Sequence, residues 1–214
     1  MQKVSKVKKI IFDLDGTLLF LSDDWRNTYQ EFIDTYKLNT TAEELFKTIG
    51  TLEKELKDLI ITKDVLCDYI NSKINIGITV DMLNDLDDRY NNIPLLNTDK
   101  IYKILDYLAS KYELINYTNW FTDDQVYRLK KYNLDKFFTK SYGWDILKLK
   151  PSQDELEKLV EGKKEDYIMI GDTIGTDIEP ADSIGIKTIF YNRKGIVQDK
   201  YTEIKDIEEL LNIL

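Results

Sequence analysis

An α/β fold with a parallel-sheet core, interrupted by a long all-helical insertion, is predicted by three features of the sequence. A short apolar run, Ile10-Ile11-Phe12, stands near the start and ends in Asp13, as a buried strand of a parallel sheet does. Over residues 20–93 apolar residues recur at helical spacing and no convincing strand occurs. From Asn97 onward helix-like and strand-like patterns alternate, as in βαβ units.

In the first strand, Gly16 lets the backbone leave the sheet sharply, and Asp13 and Asp15 fall at the strand's carboxyl end. That edge of an open α/β sheet is where ligands bind. Asp and Gly after a strand are also ordinary turn residues, so the D-x-D-G stretch alone reads as a turn. Its meaning depends on what later strand ends supply.

In the insertion, Trp25, Tyr29, Phe32, Ile33 and Tyr36 mark a first helix with Ser22 as its N-cap. A second helix is expected over residues 42–60, with Leu45, Phe46, Ile49, Leu52, Leu56 and Leu59 on one face. Two shorter helices follow, one carrying Val65, Leu66, Tyr69 and Ile70, the other Val80, Leu83, Leu86 and Tyr90. A turn around Asn91-Asn92-Ile93-Pro94 closes the segment, and its aromatic stripes read as core rather than as a ligand site.

Beyond it, Ile101, Ile104, Leu105 and Leu108 mark a helix, and residues 112–117 a strand ending in Thr118-Asn119. A helix over 123–132 and a short strand over 137–141 come next. Lys150-Pro151 precedes a helix through Leu156, Leu159 and Val160, and residues 167–170 form a buried strand ending in Gly171-Asp172. Residues 186–191 are the last expected strand and 206–213 the closing helix.

Composition narrows the chemistry. At 214 residues the chain supports one sizeable domain, or one domain with an insertion, and 43% hydrophobic with 32% charged residues is the balance of a globular protein. A net charge of -9 argues against nucleic acid or an anionic membrane as the main partner. No apolar run approaches the roughly 18 residues of a membrane span, and MQKVSKVKK has no long apolar segment behind it, so a cytoplasmic location is expected. The single cysteine, Cys67, cannot form an internal disulfide, and Lys73 stands where a cysteine phosphatase loop wants arginine. With no histidine in the chain, histidine triads and zinc-protease motifs are excluded and acid-base work falls to carboxylates or lysine. Neither the G-x-x-x-x-G-K-[ST] nor the G-x-G-x-x-G fingerprint occurs.

Four features fall at strand ends or just before helices: DLDGT at residues 13–17, Thr118-Asn119, Lys150-Pro151, and GDTIGTD at residues 171–177. In this order the chain resembles the haloacid dehalogenase-like hydrolase superfamily, in its phosphatase branch with a helical cap inserted after the first motif. The likeness covers nearly the whole chain, including the stretch ADSIGIKTIFYNR at residues 181–193. It implies a Rossmann-like parallel-sheet core over residues 1–19 and 95–214 and an all-helical cap over 20–94.

An unperturbed Asp titrates near ~4, so Asp13 is expected to be ionised and to attack phosphorus, giving an aspartyl phosphate. Asp15 would protonate the leaving oxygen and later deprotonate the attacking water. Converging carboxylates repel one another and a phosphate dianion, which calls for a hard divalent cation, magnesium. The resemblance implies metal ligands from the Asp13 carboxylate, the Asp15 backbone carbonyl and the Asp172 carboxylate, with Asp177, Gly16 and Thr17 in support. Lys150 would hold a positive charge beside the transferring phosphoryl group, whose oxygens the Thr118 hydroxyl and the Asn119 backbone N–H would bind.

One departure from the family pattern is Trp120, where many relatives carry glycine or another small residue after the asparagine. It would narrow the pocket, stack on an aromatic leaving group, or pack on the following helix. The expected activity is magnesium-dependent hydrolysis of a small phosphorylated metabolite: a sugar phosphate, phosphoglycolate or a nucleoside monophosphate. Relatives that cleave carbon–halogen bonds usually lack the second aspartate, and Asp15 is present. A phosphomutase and a non-catalytic binding protein on the same fold are the alternatives. The substrate and the oligomeric state are left open.

Overall fold

The computed structural model describes residues 7–22, 24–56 and 59–214. Six strands form one sheet: β1 (Lys9–Phe12), β2 (Glu113–Tyr117), β3 (Phe138–Tyr142), β4 (Tyr167–Gly171), β5 (Lys187–Tyr191) and β6 (Glu203–Ile204). Their spatial order is β3-β2-β1-β4-β5-β6 and every pairing is parallel. The chain first builds outward from β1 on one side, then crosses to build on the other, so β1 lies at the switch point of the sheet. The carboxyl ends of β1, β2 and β4 therefore border one crevice.

The strands carry apolar residues toward both faces because helices cover both. Ile10, Phe12, Leu114, Ile168 and Ile170 join one buried cluster with Ile104 and Leu108 of α5 (Thr98–Ala109). Ile11, Ile115, Tyr167 and Met169 join another, with Leu156 and Leu159 of α7 (Gln153–Leu159) and Ala181 of α8 (Glu179–Ser183). The remaining core helices are α6 (Thr122–Lys131) and the short α9 (Leu210–Ile213).

Between β1 and α5 the described residues contain four helices, α1 (Trp25–Tyr36), α2 (Ala42–Glu55), α3 (Lys63–Ile74) and α4 (Val80–Asn92). Three start on a threonine whose hydroxyl accepts an orphan helix N–H: Thr41 from Glu44 at 3.1 Å, Thr62 from Val65 at 3.4 Å and Thr79 from Met82 at 3.3 Å. Phe32, Leu45, Leu52, Leu66, Ile70 and Leu83 form their common core, which Phe121, Trp144 and Leu149 extend toward the sheet. The segments entering and leaving this helical unit pair with each other: the Leu96 amide donates to the Phe20 carbonyl at 2.7 Å and the Ser22 amide to the Pro94 carbonyl at 2.8 Å.

Several expectations are corrected. The N-cap of α1 is Asp24, whose carboxylate accepts from the Arg26 amide at 3.0 Å, while the Ser22 amide is committed to the Pro94 carbonyl of the returning segment. Helix α2 stops at Glu55 rather than near residue 60. The apolar run after it serves a different purpose: Ile61 is buried and its amide donates to the Trp144 carbonyl at 3.0 Å, drawing the chain across to the sheet domain. Residues 57 and 58 of that expected helix lie outside the described residues. The two-residue strand β6 was not expected, and the closing helix begins as a 3-10 turn over Ile207–Glu209. Among the described residues no helix is long and apolar enough to cross a membrane.

Candidate active site

The ladder of β1 and β4 continues one step past the strand, where the Asp13 amide donates to the Ile170 carbonyl at 3.0 Å. This fixes Asp13 at the carboxyl edge, with its side chain buried. Its Oδ1 accepts from Lys150 Nζ at 2.6 Å and its Oδ2 from the Thr17 hydroxyl at 3.0 Å. Gly16 makes the turn between them with φ +86°, and a Cβ there would stand 2.6 Å from Asp172 Oδ2. Glycine is required at this position on both counts.

Lys150 is buried in the loop before α7 and bridges two carboxylates, reaching Asp177 Oδ1 at 2.7 Å as well as Asp13. Asp177 lies in a π-turn over Ile174–Ile178, and its Oδ2 accepts from the Thr173 amide at 3.1 Å. The turn packs against the strand so closely that a Cβ on Gly171 would meet the Asp177 side chain at 2.5 Å. Asp172, one residue beyond β4, accepts from Thr173 Oγ1 at 3.1 Å and faces Lys194 Nζ at 3.5 Å.

Burial pushes the Asp13 carboxyl up to about 7, against the pull of Lys150 and with Asp177 and Asp15 adding to the rise. Its proton is therefore held more tightly than that of an ordinary aspartate. Asp177 is raised by the same desolvation, again opposed by Lys150. Burial alone would lower Lys150, but Asp13 and Asp177 outweigh it and hold its ammonium above the ordinary lysine range.

Asp13, Asp172 and Asp177 each offer a carboxylate oxygen, and these atoms lie within 4.8 Å of one another. The cluster is all oxygen and rich in negative charge, with Lys150 already shared between two of its members. That donor set fits a hard divalent cation such as magnesium.

Asp15 is more exposed than Asp13 and points to a different partner. Arg128 of α6, itself buried, grips it with two hydrogen bonds, Nη2 to Oδ1 at 2.7 Å and Nη1 to Oδ2 at 2.9 Å. Gln125, one turn earlier, accepts from Arg128 Nη1 at 3.0 Å and donates to Asp15 at 3.4 Å. Neither residue was singled out in the sequence. The only local signal was a Gln and an Arg three apart on the helix that follows Thr118-Asn119, which reads as a solvated face.

At the end of β2, Thr118 is buried and its amide donates to the Tyr142 carbonyl at 3.1 Å. The Asn119 side chain does not reach outward. Its Oδ1 accepts from the Lys150 amide at 2.8 Å and its Nδ2 donates to the Lys150 carbonyl at 3.3 Å. Trp120 packs against Phe121 and Trp144, with ring centroids 5.4 and 4.9 Å away, and lines a cavity that also includes Asp15. The structure thus gathers Asp13, Thr17, Lys150, Asp172 and Asp177 into one contact network, sets Asp15 beside it on Arg128, and puts Asn119 behind Lys150. Cys67 lies apart, buried in α3, with its thiol pushed up to about 11 by desolvation and nearby aspartates.

A family model of haloacid dehalogenase-like hydrolases matches residues 10–191, and the chain belongs to that family. Among solved structures, it is similar to the magnesium-bound HAD-hydrolase YfnB from Bacillus subtilis, at 18% identity, with 98% of this chain and 99% of that one covered and a TM-score of 0.76. It is similar to a 2-haloacid dehalogenase from Pseudomonas syringae at 21% identity, 97% coverage of both chains and a TM-score of 0.70. A predicted phosphoglycolate phosphatase from Haemophilus somnus aligns at 20% identity, 99% of both chains and a TM-score of 0.66. No curated protein matches the chain. These likenesses establish the fold, and the family makes the chain a hydrolase.

Proposed function

We propose that the protein is a magnesium-dependent phosphomonoester hydrolase acting on a small phosphorylated metabolite. The observation that carries this reading is the second carboxylate: Asp15 lies two residues from Asp13, lines the cavity that Trp120 also lines, and is held there by Arg128. A proton donor placed beside the nucleophile has work to do on an alkoxide leaving group and little on a halide.

In the proposed first step, an Asp13 carboxylate oxygen attacks phosphorus, the bond from phosphorus to the leaving oxygen breaks, and Asp15 supplies that oxygen's proton. In the second, Asp15 takes a proton from water, which attacks the aspartyl phosphate and returns free Asp13 with inorganic phosphate. Protonated Asp15 loses one of the two acceptors that Arg128 grips, so the first step requires this pair to loosen. Lys150, pinned between Asp13 and Asp177, keeps a positive charge beside the transferring group, and the Thr118 hydroxyl and the Asn119 backbone N–H are assigned to its oxygens. Asp13, the Asp15 carbonyl and Asp172 would hold magnesium, with Asp177 in support, and the cation would offset the charge of carboxylates and phosphate together. The solved magnesium complex of YfnB, the same fold, agrees with this choice of metal.

The test measures phosphate release from p-nitrophenyl phosphate with magnesium and with chelator, beside chloride release from 2-chloropropionate. Phosphate release that vanishes in chelator, with no halide released, is expected. Full activity without metal, or halide release alone, would overturn the assignment.

A further inference from the structure

Between the helical unit and the sheet domain lies a cavity of about 240 Å³, and its walls are unusually aromatic. Tyr29, Phe46 and Tyr90 come from the helical unit, Trp120 and Trp144 from the other side. Ile49 and Leu86 add aliphatic surface. Asp15 is part of the same lining, so the cavity adjoins the group assigned to the leaving oxygen. What it encloses is the space for the leaving group rather than for the phosphate.

The lining is poorly suited to a second anionic group. Among the described residues its only cation is Arg128, already engaged twice by Asp15. Asp87, buried in the wall, is paired with Lys63 at 2.9 Å. A second carboxylate or phosphate would find no free cation among the described residues of the lining. A flat ring, by contrast, gains from stacking on such walls. Uncharged polar groups are also present, the Tyr29 and Tyr90 hydroxyls, the Asn91, Asn119 and Gln125 side chains, and Trp144, whose buried Nε1 has no hydrogen-bond acceptor among the described residues. They suit a ring with heteroatoms at its edge. The volume falls just below the roughly 300 Å³ at which pockets for drug-sized ligands begin, which is room for one or two fused rings. Phe46, half-exposed and stacked on Trp25 at 3.9 Å, stands at the rim.

We propose that this cavity holds a heteroaromatic leaving group, so that the substrate class is the phosphomonoester of a small alcohol bearing a heteroaromatic ring. Nucleoside monophosphates and phosphates of pyridine-ring alcohols share that chemistry. The proposal rests on the phosphatase reading above, and names its substrate.

Two measurements test it. In the first, equilibrium dialysis of the full chain with phosphate-free uridine, adenosine and pyridoxine, against glucose and glycolate, reads the cavity without any catalysis. Binding of at least one ring compound, at least tenfold tighter than glucose or glycolate and weakened at least fivefold in Phe46→Ala or Trp120→Ala, is expected; no preference for any of the rings overturns the proposal. In the second, kcat/KM is compared for uridine and adenosine monophosphates, pyridoxal phosphate, glucose 6-phosphate and phosphoglycolate. At least one ring ester should exceed both non-aromatic esters tenfold, and which ring ester leads identifies the source. Phe46→Ala should lower kcat/KM more for that ester than for phosphoglycolate, mostly through KM. Equal or better turnover of glucose 6-phosphate or phosphoglycolate overturns the proposal while leaving the phosphatase reading intact. If no ester, p-nitrophenyl phosphate included, releases phosphate, the phosphatase reading fails, and the dialysis result alone decides whether the cavity takes a ring.

Discussion

Asp13 is the residue whose surroundings most change its ordinary chemistry. Its carboxyl, raised from 3.8 to about 7 chiefly by burial, retains in the metal-free folded protein a proton that the unfolded chain gives up near its ordinary value. That contribution to stability is present below about 4 and is lost as pH rises toward 7. A cation bound through the same carboxylate must displace the proton, so magnesium affinity should rise with pH up to about 7 and level off above it. Calorimetric titration should find it falling by nearly tenfold per unit below that point, a dependence that Asp13→Asn removes. An affinity that does not change between pH 5.5 and 8 would mean that Asp13 either is not a ligand or is already ionised throughout that range. With no histidine in the chain, buried carboxylates take the place of an imidazole as groups that change charge near neutral pH.

At the scale of elements, the site depends on how tightly two segments approach. The π-turn carrying Asp177 sits on β4 only because Gly171 has no side chain, and an added Cβ would lie 2.5 Å from Cβ and Cγ of Asp177. Gly171→Ala should push the turn away, separating Asp177 from Lys150. A stability loss of about 1–3 kcal/mol, the usual cost of overpacking, is expected by denaturant titration, with a larger proportional loss in magnesium affinity. Unchanged metal binding would show that Asp177 does not support the cation. What the sequence made legible follows the same division. Asp13, Asp172 and Lys150 were readable only through the order of four motifs that resembles the family, since singly each passes for a turn or surface residue. Arg128 was not, because its role depends on which face of α6 turns toward β1, and a helix rich in charge gives no sign of that. Ser22 and Asp24 are both good caps two residues apart, and only the pairing of Ser22 with Pro94 decides between them. Strand β6, two residues long, has no periodicity to detect. The aromatic stripes assigned to core are core in part, yet Tyr29, Phe46 and Tyr90 also face the cavity, a double duty that spacing alone does not reveal.

For the whole molecule, the helical unit is joined to the sheet domain by two chain segments that pair with each other beside Leu21 and Leu95. Such a paired double connection is suited to bending as a unit while the cavity above Asp15 opens and closes. Limited proteolysis should cut there first, and vanadate with magnesium should slow the cutting several-fold by favouring closure. Cleavage confined to the termini and indifferent to vanadate would argue for a fixed lid.

The two bonds between the Asn119 amide and the backbone of Lys150 have a mechanical meaning as well. A side-chain amide presents an N–H and a C=O side by side, as a peptide group does, and here they meet the C=O and N–H of a residue in a loop. Asn119 thereby impersonates a neighbouring strand, adding one more rung to the sheet beyond the last residue of β2. Lys150 is anchored to that rung, so the charge nearest Asp13 inherits the stiffness of the sheet although its own segment belongs to no strand.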